Sequence, residues 1–383
     1  MVALTSVPAP GVTGAALATR LAFFAAGFTM AAWAPLIPFA KARLGASDAE
    51  LGLLLLCLGI GSLIAMPVTG YLSARNGARG MILLGGCGLV MLLPLMMLAE
   101  SGLLLGGLLF VFGAALGTID VAMNVHGAEV ERRAARAMMS GFHAMWSVGG
   151  VAGAGAMTAL LSLGSGPLVA AFMGAVIAAL ALILAAPRLL RAQAGVSPPS
   201  LVRPRGIVLL IAALTAIVFL IEGAILDWGA LLSVERALLP KEQAGLGFLL
   251  FSVAMTAGRL AGDRLVSRIG AYATLLGGGL LVMAGLALVI VAPGLVLPMA
   301  GFLLVGAGAA NLVPVLISAA GRQEIMPPAL AIAAVTTTGY GGILLGPALI
   351  GFAAEASSLA MAFWGLVVLM AAIVATARRI ARV

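Results

Sequence analysis

Apolar residues fall in runs of 18 or more along the chain, near positions 17–39, 50–71, 80–98, 103–125, 139–161, 167–186, 208–231, 244–266, 271–291, 296–318, 329–352 and 359–377. Short polar or basic stretches separate them. A helix rises about 1.5 Å per residue, so about 20 apolar residues cross a hydrocarbon layer. The pattern therefore predicts twelve spans. An even number of crossings returns both chain ends to the same side. The first run follows an uncharged leader and is longer than a signal-peptide core, so it is expected to be retained.

Composition agrees with the pattern. Of the 383 residues, 63% are hydrophobic and 9% charged, against about 25% charged in a soluble domain. A soluble globule is excluded. Gly (51) and Pro (18) are abundant, which suits spans that pack closely and move, because glycine lets helix backbones approach and neighbouring helices satisfy the carbonyls freed by proline.

Charge gives direction. Of the 21 basic residues, 17 fall on one face of the twelve-span plan, among them Arg20, Arg75, Arg132, Arg133, Arg136, Arg203, Arg268 and Arg379; Lys41, Arg43, Arg236 and Lys241 fall on the other. Basic residues concentrate on the cytoplasmic side of membrane proteins, so both termini are expected in the cytoplasm of a bacterial inner-membrane protein. The net charge of +8 then reflects topology, and no nucleic-acid partner is expected. Cys57 and Cys87 lie inside apolar runs and read as buried packing residues.

The longest link, Pro187 to Gly206, carries Ser197-Pro198-Pro199-Ser200 and four arginines, the composition of a polar linker. It divides the chain into an N-terminal six-helix bundle at 1–191, a linker at 192–206 and a C-terminal six-helix bundle at 207–383. A shift of about 193 residues lays Leu72-x-x-Arg75-x-Gly77 on Leu265-x-x-Arg268-x-Gly270, Gly113-Ala114 on Gly306-Ala307, Gly149-Gly150 on Gly341-Gly342 and Trp33 on Trp228. These matches run in order, as in two parallel repeats, which usually enclose a site near the bilayer midplane.

Gly70-Tyr71-Leu72-Ser73-Ala74-Arg75-Asn76-Gly77-Ala78-Arg79 follows the second span. It resembles the loop signature of the major facilitator superfamily, departing at Ala74, where the family carries aspartate, and at Ala78. The resemblance implies an all-α membrane protein of twelve helices in two pseudo-symmetric bundles. It also implies a gating role for Arg75 and Arg79, although the missing aspartate removes the usual partner of that loop.

A charge near the bilayer centre costs about 3 kcal/mol or more, so acidic residues inside spans are functional candidates. Three stand out. In span 4, Asp120 is followed at i+4 by Asn124 and preceded by Gly113 and Gly117, a stripe expected to face the cavity. His143, near the start of span 5, is expected at a similar depth, where a carboxylate and an imidazole can exchange a proton; the alternative is that it caps its helix. Span 7 holds Glu222 and Asp227. Five residues apart, they lie about 140° apart around the helix and cannot share one role. Glu222 is the candidate for solute or proton, and Asp227, beside Trp228, for an outer gate.

The strings Asp120-x-x-x-Asn124, Phe142-His143-Ala144-Met145-Trp146 and Glu222-Gly223-Ala224-x-x-Asp227-Trp228 resemble the fucose-permease-like branch and a group of bacterial facilitators that includes a rhizopine-locus carrier. In that branch an acidic residue of helix 4 carries proton coupling. The resemblance implies this role for Asp120. It does not carry sugar specificity over, because Leu21 to Phe39 lacks the helix 1 aspartate of the fucose permease.

Further candidates for the cavity wall are Asn311, Thr337 and Tyr340, together with Trp33 and Trp146, whose indoles either stack on a solute or anchor the helices. Arg259 and Asp263, four residues apart, read as a local ion pair or as an inner gate. No nucleophile triad, metal-ligand cluster or phosphate loop occurs, so neither enzyme activity nor a cofactor is expected. The expectation is a monomeric secondary carrier that moves a small polar solute, a sugar or cyclitol, with protons. The alternative is a proton-driven exporter of apolar or cationic compounds, in which Glu222 binds the cation.

Overall fold

The computed structural model describes residues 12–134, 138–191, 204–326 and 328–383. Arg136, Arg203 and most of the linker, including its Ser-Pro-Pro-Ser string, lie outside the described residues, as does the side chain of Asp263. The described chain is helical, and twelve helical segments are long and apolar enough to cross a membrane. Helices satisfy their own backbone hydrogen bonds, which a hydrocarbon medium cannot do for them.

The first span is α1 (Val12–Trp33), a turn containing Pro35, and α2 (Ile37–Leu44). The rest of the first half is α3 (Asp48–Asn76), α4 (Ala78–Leu95), α5 (Gly102–Ala134), α6 (Met139–Ser162) and α7 (Pro167–Ala185). The second half begins with α8 (Ile207–Glu235). The eighth and ninth spans form α9 (Leu246–Val291), which turns a corner at Gly270. α10 (Val296–Ala309) and α11 (Leu312–Arg322) make the tenth span, followed by α12 (Pro328–Ala356) and α13 (Leu359–Ile380).

The repeat is visible in backbone geometry. Gly77, between α3 and α4, has φ 84° and ψ 154°, and Gly270 has φ 80° and ψ 166°. Only glycine adopts this conformation without strain. Gly113 of α5 lies against the Leu58 carbonyl of α3, and Gly306 of α10 lies against the Phe251 carbonyl of α9. Both members of each pair are 193 residues apart. A Cβ at either glycine would collide with that carbonyl, so these glycines set how closely the helices cross.

Three expectations change. α5 continues to Ala134, well past the apolar run, because Glu129 accepts hydrogen bonds from Arg132 and Arg133 one turn on, which extends the helix with charged residues. The stripe of small residues before Asp120 packs against α3, with Gly113 at Leu58 and Gly117 at Ser62, instead of lining a cavity. Cys87 is exposed on the outside of the bundle and Cys57 only half-buried. In hydrocarbon, an apolar side chain gains nothing by turning inward.

His126 of α5 pins the end of the first half. Its Nε2 accepts from the Leu190 N–H at 2.9 Å, while Nδ1 lies 2.9 Å from the Thr19 hydroxyl of α1.

Among the described residues, the contacts that join the two halves gather at one end. There, Gly52 of α3 lies against Pro347 and Gly351 of α12, and the Glu355 carboxylate accepts hydrogen bonds from the Asp48 and Ala49 N–H groups at 3.1 and 3.4 Å. On the other side of the axis, Lys241 stands 4.6 Å over the Phe39 ring, and the Ser162 hydroxyl donates to the Glu242 carbonyl. Gly59 against Leu344 and Gly155 against Leu249 mark how deep this seal reaches. Toward the opposite end, which carries Arg75, Arg132, Arg268 and Arg322, no hydrogen bond or ion pair joins the halves among the described residues. Closure at one end without a corresponding link at the other, among the described residues, is the arrangement expected of a cavity between the halves that opens at the arginine-rich end.

Candidate functional site

The candidate residues are carried by α5 and α6 in the first half and by α8, α9 and α12 in the second. On the first-half wall, Asp120 is half-buried in α5, and its polar partner is Asn124, whose Nδ2 donates to the Asp120 carbonyl at 2.9 Å and lies 3.4 Å from Oδ1. Among the described residues no cation pairs with Asp120. Its next-door hydroxyl, Thr118, is taken by Thr69 of α3 at 3.2 Å.

His143 and Trp146 follow on α6, the first exposed and the second half-buried. The imidazole packs edge-on against Phe23, with ring centroids 5.0 Å apart. The carboxylate–imidazole pair expected with Asp120 is not formed in this conformer: the charge that reaches His143 is that of Arg259, across the cavity.

On the second-half wall, Glu222 of α8 meets Arg259 of α9, Oε2 to Nη2, at 3.3 Å. The pairing read from sequence joined Arg259 to Asp263, whose side chain lies outside the described residues. The partner found is 37 residues away, on the neighbouring helix, where Arg259 balances a carboxylate that would otherwise be alone. One turn before Glu222, Phe219 packs against Tyr340 of α12 with ring centroids 5.8 Å apart. Sequence reasoning missed Phe219, although its i−3 spacing from Glu222 puts it on the same helix face. Tyr340 is 41% exposed and Thr337, one turn earlier on α12, is also exposed. Gly339 and Gly342 of α12 pack against α8, the former on Thr215 and Phe219 and the latter on Ala216. Tyr340 is also within electrostatic reach of Asp120. Asp120, Asn124, His143 and Trp146 of the first half and Glu222, Arg259, Thr337 and Tyr340 of the second are thus the candidates for the two walls of that cavity.

Other expected site residues lie elsewhere. Asn311 is buried and donates to the Gly258 carbonyl at 3.0 Å, which ties the break between α10 and α11 to α9. Trp33 and Trp228 are both fully buried, and neither indole N–H has a hydrogen-bond partner. They pack at the closed end instead of offering a face to a solute. Asp227 is buried at the same end, five residues beyond Glu222. Arg75 lies at the open end with the Tyr71 hydroxyl 3.5 Å away, and Arg79 is half-buried nearby at the start of α4. The groups that join the halves at the closed end, Gly52, Gly351 and Glu355, carried no signal of span chemistry and were not anticipated.

The model of the Major Facilitator Superfamily matches residues 20–323. An uncharacterized MFS-type transporter of Yersinia pestis is 50% identical over 369 residues, covering 96% of both chains. The uncharacterized transporter y4wD of Sinorhizobium fredii is 33% identical over 92% of this chain and 94% of that one. The membrane protein MosC of Rhizobium meliloti is 32% identical over 92% of this chain and 87% of its own. Among solved structures, the nucleoside transporter NupG superimposes with a TM-score of 0.77 at 12% identity, over 96% of this chain and 99% of that one. A bacterial homologue of the human lysosomal transporter Spinster, in an inward-facing and unoccupied conformation, gives 0.74 at 15% identity over 98% of each.

Proposed function

This chain belongs to the Major Facilitator Superfamily, and from that premise we propose that it is a proton-coupled secondary carrier for a small hydroxylated solute, working by alternating access between the halves at 1–191 and 207–383. It is a multi-pass membrane transporter and not an enzyme. The observation that carries the reading is the one-ended seal, α3 on α12 and α6 on α9, with no hydrogen bond or ion pair joining the halves toward the other end among the described residues, together with the polar groups Asp120, His143, Glu222 and Arg259 carried by spans of both halves. The positive-inside bias puts the arginine-rich open end in the cytoplasm with both termini, so the conformer is inward-open in a bacterial inner membrane.

Asp120 is the coupling group in this reading. It lies in the wall without a cation to hold it charged, so water reaching it from one side or the other can exchange its proton. Asn124, Trp146, Thr337 and Tyr340 supply hydrogen-bonding and stacking surface for the solute, and Glu222 shapes the opposite wall together with Arg259. His143, exposed four residues into α6, would pass protons between Asp120 and water only after leaving its packing on Phe23. Asp227 and Trp228 at the closed end, and Arg75, Arg79 and Asp263 at the open end, are the gating groups.

The reading is tested by reconstitution into liposomes with an imposed pH gradient, inside alkaline, and a radiolabelled panel of sugars and cyclitols. Accumulation of one of them that collapses with a protonophore is the expected result. Proton-driven expulsion of lipophilic cations, with no movement of any polyol, would establish the exporter alternative instead.

A further inference from the structure

Glu222 and Arg259 differ in what they present to the cavity. Oε2 of Glu222 is bonded to the guanidinium, and Oε1 is shielded from water with no hydrogen-bond donor near it. The Glu222 side chain is 17% exposed, that of Arg259 39%. A molecule entering from the open end therefore meets the guanidinium before it meets the carboxylate. Arginine carries five N–H donors in a planar fork and no acceptor. One of its nitrogens is engaged by Glu222, and the side chain makes no other hydrogen bond among the described residues.

Charge decides what such a wall accepts. A bare carboxylate beside the Phe219–Tyr340 aromatic pair would form a cation site, because aromatic faces and negative charge both attract cations. With its charge balanced by Arg259, the same wall offers donors without net negative charge. It fits the oxygen atoms of a neutral solute, with the aromatic pair as a flat surface beside them, and gives a cation no attraction.

Resting on the reading of this cavity as a solute site, we propose that Arg259 is the group of the second-half wall that contacts the solute, that Glu222 is its positioning residue, and that the pair selects neutral hydroxylated solutes over cations. The role is distinct from a gate.

The experiment measures binding of myo-inositol and of tetraphenylphosphonium to the purified full-length protein, wild type and variants, each first shown to be monodisperse. Wild type should bind the cyclitol and not the cation. Arg259→Gln should weaken cyclitol binding about 10- to 100-fold, the range of a lost hydrogen bond to a charged group, and should gain binding of the cation at least tenfold. Removing the uncovered carboxylate in the double variant Glu222→Gln/Arg259→Gln should abolish that gain. Arg259→Lys should keep the cation out yet recover the cyclitol only in part, because an ammonium lacks the fork. Cation binding by wild type that is lost in Glu222→Gln would overturn the proposal, as would an Arg259→Gln variant with both affinities unchanged. Wild type that binds no polyol, in the presence of the cation gain in Arg259→Gln, would remove the hydroxylated-solute reading while leaving cation exclusion by Arg259 in place.

Discussion

Arg43 and Arg236, 193 residues apart, hold equivalent helix ends in the two halves. Arg43 donates to the carbonyls of Met96, Met97 and Ala99 at 2.8, 2.6 and 2.9 Å, and Arg236 donates to those of Val289 and Ala292 at 2.6 and 3.1 Å. The repeat shift carries Met96 onto Val289 and Ala99 onto Ala292. The last carbonyls of a helix have no partner within it, and a guanidinium satisfies several at once while its charge complements the helix dipole. This accounts for two of the four basic residues that break the charge bias: they are bound to their own chain.

It follows that Arg43→Ala or Arg236→Ala should lower the melting temperature of the purified protein by about 5 °C, from hydrogen bonds to a charged group worth about 1.5–3 kcal/mol. Lysine at either position should give nearly the same loss, because one ammonium cannot span carbonyls of two turns. Scanning fluorimetry in detergent checks both. Lysine variants with wild-type stability would show that charge alone suffices.

The seal between the halves should respond to residues that do no chemistry. Gly351 lies against the Asp48 carbonyl and the Cα of Gly52, leaving no room for a side chain. Gly351→Leu should therefore push α12 off α3 and favour the conformer open at the opposite end. Glu355→Gln should do so more weakly, because it removes only a charged cap from the first turn of α3. A cysteine placed at the buried Thr158, which adjoins Gly245 across the seal, reports the change by its labelling with a membrane-impermeant maleimide from outside the cell. Labelling should rise severalfold in Gly351→Leu and less in Glu355→Gln. Equal protection in all three backgrounds would mean that the α3–α12 contact does not hold the seal.

Much of the architecture was legible in the sequence for a simple reason: in hydrocarbon, run length and glycine spacing report directly on crossing and close approach. Gly77 with Gly270, and Gly113 with Gly306, were readable as a repeat because only glycine serves at those positions. Partners across helices were not readable. Arg259 had a carboxylate four residues away in its own helix, and nothing local favours Glu222, which comes near only through the packing of α8 on α9. The burial of Trp33 and Trp228 escaped for the same cause, since an aromatic residue in a span looks alike whether it meets a neighbour, a lipid or a solute. The role of Arg43 and Arg236 did have a signal, the repeat shift combined with their departure from the charge bias.

Asp120 carries the prediction on energy coupling, and the structure sharpens it. Its hydrogen-bonding partner is Asn124 on its own helix, and among the described residues no cation pairs with it. Asp120→Asn keeps the shape, retains an acceptor for Asn124 and fixes the neutral form. Solute binding and counterflow exchange need no net proton movement, so both should persist, while accumulation driven by a pH gradient should fall to the level of simple equilibration. His143 is not bonded to Asp120 and packs on Phe23. His143→Ala should then leave coupling intact in the inward-open state and slow it only if the imidazole comes to the carboxyl as the open end closes. Proteoliposome uptake at several internal pH values, run in parallel with counterflow, distinguishes the two variants. Uphill accumulation with wild-type pH dependence in Asp120→Asn would exclude this residue as the coupling site and pass the role to Glu222, the other carboxyl of the cavity wall.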